Sequence, residues 1–145
     1  LMVVVAAGND GQDNNQHPVF PANFRTSNMI VVASITQTGR MSFFSDYGLS
    51  KVDIGAPGSD ILSTLPGNKY AAWSGTSMAT PEVVGVAALA LSANPSMSVA
   101  QLKGVILGSA VKTDSLVGKV DTGGRVDASG AVSAAHNLLL NAENP

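Results

Sequence analysis

Two uninterrupted apolar runs, 1–7 and 28–35, carry β-branched residues at successive positions and read as buried strands. Strands without a polar face have layers on both sides, the habit of a parallel sheet. The connection between them, 8–27, is polar, rich in Asn, Gly and Pro, and shows no helical period. Parallel strands are usually joined through a helix, so a long irregular crossover marks a segment with a functional reason. Shorter strands are predicted at 50–54, 60–65 and 69–74, punctuated by Gly55-Ala56-Pro57-Gly58 and Pro66-Gly67-Asn68.

From residue 77 the period changes. Residues 77–93 are apolar almost all round, which predicts a helix buried in the middle of a domain. Pro81 falls near its first turn, where a missing N–H costs little, and Asn94-Pro95 ends it. Ser98-Val99-Ala100-Gln101 spells a capping box ahead of Leu102, Val105 and Ile106 at helical spacing. Beyond a glycine-rich stretch, 118–124, Asp127 is placed to cap a last helix with Ala131, Val132, Ala135, Leu138 and Leu139 on one face. The tail 141–145 is expected to fray. The fold class predicted is α/β, a mostly parallel sheet around a buried central helix. The Val-rich opening strand has nothing ahead of it to cover it, which suggests the C-terminal part of a larger domain.

Composition narrows the function classes. The chain is 45% hydrophobic and 12% charged, which excludes wholesale disorder. A net charge of −2 without a basic run gives no reason to expect a nucleic acid partner. The absence of cysteine removes disulfides, thiolate catalysis and thiolate metal sites together. The apolar stretch 83–93, interrupted by Gly85 and Ser92, reads as too short to span a membrane.

Chemistry concentrates in Gly75-Thr76-Ser77-Met78-Ala79-Thr80-Pro81. Ser77 stands between a strand-like approach and a helix, so its Oγ can be exposed while its N–H is an unpaired donor of the helix N-terminus. A negative charge growing on an attacked carbonyl oxygen could bind there. A serine that merely caps a helix is the plain alternative. Upstream, Val3-Val4-Val5-Ala6-Ala7-Gly8-Asn9 ends a strand on a glycine and a side-chain amide. Asn9 is a second possible donor, or a simple turn asparagine.

These two segments, in this order, resemble the subtilisin-like serine peptidases (subtilases). The resemblance extends to Phe20-Pro21-Ala22, similar to that family's aromatic-Pro-Ala turn, which often holds a cis proline. It includes Met41-Ser42-Phe43-Phe44-Ser45, Asp53-Ile54-Gly55-Ala56-Pro57-Gly58 and Ile61-Leu62-Ser63-Thr64-Leu65, and covers nearly all of 1–137. It implies a serine endopeptidase with Ser77 as nucleophile and the Asn9 amide completing the oxyanion hole. Ala6, Ala7, Gly8 and Thr76 would border the bound peptide. It also implies an exported parent protein, a peptide or protein substrate, no organic cofactor, and calcium as a possible structural ion, with Asp53 and carbonyls near Ala22 and Phe24 at a weak cation site. Asp53 reads first as an ordinary strand-end acid, with the cation site as the second reading.

The chain departs from the family twice. Glu82 stands where subtilases usually have the histidine of Pro-His-Val-Ala-Gly. More seriously, the triad order is Asp, His, Ser, and the first two are expected upstream of Ala7-Gly8-Asn9. His17 and His136 lack the family's His-Gly-Thr setting and are expected on the surface. Asp121-Thr122-Gly123 imitates a catalytic-aspartate tripeptide but follows the serine and reads as a loop. The isolated chain is therefore expected to be an inactive C-terminal part of one catalytic domain, completed by its missing N-terminal half. The alternative is a non-catalytic folding or assembly unit that self-associates through an exposed core face. A lipase-like hydrolase fits less well, because Gly-x-Ser-x-Gly would need glycine where Ala79 stands.

Overall fold

The computed structural model describes residues 1–143, so the last two residues of the tail expected to fray lie outside the described residues. Four parallel strands, β1 (Val3–Ala6), β2 (Met29–Ile35), β3 (Ile54–Pro57) and β7 (Gly124–Arg125), form a sheet in the order β1-β2-β3-β7-β6. The edge strand β6 (Val111–Lys112) is antiparallel to β7. Every residue of β2 is buried, as its unbroken apolar run predicts. A separate hairpin, β4 (Ile61–Leu65) with β5 (Lys69–Trp73), turns through Gly67 and Asn68 in left-handed conformations. The mixed α/β class with a mostly parallel sheet is as expected.

Helices α1 (Thr76–Ala93), α2 (Val99–Gly108) and α3 (Ala128–Glu143) cover one face of the sheet. Ile30 and Val32 of β2 meet Ala79, Val83, Val86 and Ala90 of α1, with Leu102, Ile106, Ala131 and Ala135 behind them. The opposite face, Met29, Val31, Ala33 and Ile35, packs under loops through Ala22, Val52, Leu116 and Val120. Both predicted caps form. Ser98 Oγ accepts from Gln101 N while Gln101 Oε1 accepts from Ser98 N, and Asp127 Oδ1 accepts from Ser129 N. Residues 141–143 continue α3 where fraying was expected.

Four expectations are corrected. The strand predicted at 50–54 lies at 54–57, because Lys51 and Val52 close a turn onto the Gly48 carbonyl. Gly55 is a strand residue in place of a turn residue: a Cβ there would come within 2.5 Å of Leu116 Cδ1, so glycine allows the close packing. Helix α1 is buried on one face only, leaving Val84, Leu89 and Leu91 at 48%, 53% and 36% exposure. The apolar stretch 83–93, read as too short to span a membrane, belongs to this 18-residue helix, which with mean hydropathy 1.3 is long and apolar enough to cross one by length and composition. In this structure its inner face is instead part of the core beneath the sheet.

Candidate active site

A chain of backbone hydrogen bonds pins the start of α1 to the carboxyl edge of the sheet. Gly58 N donates to Ile35 O at 3.0 Å, and Gly75 N donates to Gly58 O at 2.8 Å. Glycine at 58 is required by this approach, since a Cβ would lie 2.7 Å from Gly75 O. Ser77 follows two residues later, exposed, in the first turn of α1, with no partner for its N–H among the described residues. Such free first-turn N–H groups bear partial positive charge.

Asn9 arrives from the end of β1. Gly8 turns the chain at φ +122°, and a Cβ there would fall 1.9 Å from Asp46 Oδ2. Thr76 N donates to Asn9 Oδ1 at 2.8 Å. The Thr76 hydroxyl lies 3.0 Å from Asn9 Oδ1 and 3.2 Å from Gly8 O, one of which takes its single proton. With Oδ1 held by Thr76, the Asn9 amide nitrogen is the free end, and no partner engages it among the described residues. A Cβ placed on Gly75 would be 3.7 Å from both Asn9 Oδ1 and Ser77 N, so the two donor-bearing groups flank the same small space. Both line one open depression of about 490 Å³, together with Ala72, Trp73, Ser74 and Met78.

The loop carrying Asn9 is clamped by a residue that the sequence pattern does not reveal. Asp46 N donates to Gly8 O, while Asp46 Oδ1 accepts from Asp10 N and Gln12 N at 2.9 Å each. Asn14 adds a bond from its Nδ2 to Ala7 O at 2.9 Å. Both side chains are fully buried. An acid in a polar loop has no periodicity to betray burial, so neither could have been singled out from sequence.

The other predicted residues separate. Thr76 and Ala7 are fully buried, so neither can touch a substrate; Thr76 orients Asn9 instead. Ala6 and Gly8 are half-buried and remain available as a wall. His17, Glu82 and His136 are exposed and do not line the depression. Thr122 Oγ1 donates to Asp53 O in a structural turn beside the exposed Asp121. The Phe20-Pro21 bond is cis. A larger groove of about 680 Å³ between α2 and α3 is lined by no titratable side chain, so size does not locate chemistry here.

The profile of the Subtilase family matches residues 1–135. The chain belongs to the subtilase family. It is 46% identical over 103 residues to alkaline elastase YaB of Bacillus sp. (strain YaB), covering 71% of this chain and 26% of that protein. Subtilisin-like protease 2 of Plasmodium falciparum is 45% identical over 91 residues, 63% of this chain and 7% of that protein. Among solved structures, one from the assembly of the subtilase cytotoxin SubAB superposes with a TM-score of 0.84 at 33% identity, over 94% of this chain and 49% of that one. The A-subunit of the AB5 toxin from E. coli gives a TM-score of 0.84 at 34% identity, over 93% and 50%. This subtilase chain thus spans about half of those structures and about a quarter of the bacterial elastase.

Proposed function

We propose that this chain is the nucleophile-bearing, C-terminal part of a subtilase catalytic domain, belonging to an exported serine endopeptidase that cleaves peptide bonds through an acyl-enzyme on Ser77. The observation that carries this reading is the shared depression in which Asn9, its oxygen tied back by Thr76, faces the same space as the first turn of α1. Ser77 Oγ attacks the peptide carbonyl carbon as its proton passes to a histidine supplied by upstream sequence, itself held by an upstream aspartate. The carbonyl oxygen, now negative, accepts from Ser77 N–H and from the Asn9 amide nitrogen. The C–N bond breaks as the histidine returns the proton to the leaving amine. Water then hydrolyses the ester by the same proton route. No organic cofactor enters these steps.

The exposed residues of α1 support a companion reading. Val84 and Leu91 join Leu1, Met2 and Val4 around an apolar cavity of about 470 Å³. Burying such a face is favourable at about 25 cal/mol per Å². We read it as the seat of the remaining half of the same domain; without it, copies of the chain associate with one another. The chain's two histidines, His17 and His136, are exposed and do not line the depression, and we read the 145 residues alone as an inactive unit. A fluorophosphonate probe tests both parts. The complete parent protein should be labelled stoichiometrically at Ser77, located by peptide mapping, and the isolated chain should not. Labelling absent from an otherwise folded parent sinks the peptidase reading, and prompt labelling of the isolated chain sinks the inactive-unit reading.

A further inference from the structure

Away from the depression, Asp53 is a carboxylate with 1% exposure immediately before β3, and its two oxygens are both spent. Asp53 Oδ2 accepts from Val31 N at 2.7 Å, and Oδ1 lies 2.6 Å from Arg25 Nη1. The same guanidinium nitrogen reaches Lys51 O at 3.4 Å. Arg25 holds φ +50°, a left-handed conformation that glycine would adopt at lower cost, so its side chain supplies the reason for an arginine here. This is the one ion pair among the described residues.

A metal ion does not fit beside Asp53 in this chain. Calcium takes six to eight oxygen ligands, carboxylate and backbone carbonyl oxygens among them, and both oxygens of Asp53 are already engaged by Val31 N and Arg25. Asp53 and Arg25 already cancel in charge, so a divalent ion would add two uncompensated positive charges and would have to displace the guanidinium.

We propose that Arg25 is the resident cation of this pocket: its guanidinium does the neutralising that a metal ion would do, making this lobe independent of metal, and its removal turns the pocket into a cation-binding site. A carboxylate stripped of its partner but still buried is strongly unfavourable, and any small cation able to reach it relieves that cost. This inference is independent of the catalytic reading.

The test is thermal unfolding of the full chain in choline chloride, sodium chloride and calcium chloride at matched ionic strength. In choline chloride, Arg25→Gln should lower Tm by about 6–12 °C. Sodium or calcium should restore at least half of that loss. Adding Asp53→Asn to Arg25→Gln should abolish the restoration, since no carboxylate remains to attract the ion. In the wild type, Asp53→Asn should leave any calcium response unchanged, which separates this pocket from sites elsewhere in the protein. A wild-type calcium response that disappears with Asp53→Asn overturns the proposal, because a metal then binds there despite Arg25. So does a Tm equally low in all three salts, or failure of Arg25→Gln to fold in any of them, because a metal then cannot replace the guanidinium.

Discussion

The helical layer and the carboxyl edge of the sheet are built on different physics. Beneath the sheet, α1, α2 and α3 bury Val83, Val86, Leu102, Ile106, Ala131 and Ala135 against Ile30 and Val32, all apolar. At the carboxyl edge, where β1, β2 and β3 end and α1 begins, Asn14, Ser34, Ser42, Ser45, Asp46 and Thr76 are buried polar residues. Ser34 N donates to Ser45 Oγ at 2.8 Å, and the hydroxyls of Ser34, Ser42 and Ser59 are linked at 2.8 Å each. Hydrophobic burial is non-directional, so the helical layer tolerates changes of similar size. Buried polar groups need particular partners at particular angles, so the edge is rigid where Asn9 and Ser77 must be placed. Damage to the first region should appear in stability, and damage to the second in rate.

Four substitutions sharpen this contrast. Ser77→Ala in the complete parent should remove about 10⁶ in turnover, the magnitude known for subtilisin itself. Because Ser77 is exposed, its Tm should barely move. A parent retaining more than a trace of peptidase activity would break the assignment of the edge as the reacting region. Asn9→Ala should lower kcat by about 10²–10³, again the subtilisin magnitude, with KM little changed. A rise in KM at constant kcat would show instead that Asn9 binds the ground state.

Ile106→Ala tests the opposite region. Ile106 is fully buried, so truncation should cost about 2–5 kcal/mol in denaturant unfolding. Activity of the folded population should be untouched, and a matching fall in kcat would blur the division between layer and edge. The smallest effect is expected of Ser98→Ala, which removes half of the capping box at α2. It should cost about 1 kcal/mol, and a loss several times larger would mean that Ser98 does more than begin a helix.

Elements with a period of their own were legible in the residues. The run 28–35 maps onto β2 within a residue, and Ser98-Val99-Ala100-Gln101 closes its capping box as read. Ser77 and Asn9 stand out through motif and order, and both line one depression. Less legible was the strand around Gly55, where Ala-Pro-Gly looks like a turn until Leu116, distant in sequence, explains the missing side chain. The outer face of α1 departs from its expected burial because an all-apolar helix does not state which of its sides the rest of the structure covers. Asp46 was invisible, since its partners Gly8, Asp10 and Gln12 lie more than thirty residues away.

What the sequence determined by itself is local: which segments are strands or helices, where two of the helices are capped, and which residues carry a recognisable motif. Propensity, periodicity and short motifs act over a few neighbouring residues and survive without a partner. The tertiary structure alone decided that Thr76 turns inward to orient Asn9, that Asp46 clamps the loop beside it, and that Arg25 neutralises Asp53. Each of these joins groups far apart along the chain, where a hydrogen bond or charge contact depends on ångström-scale placement that only packing supplies.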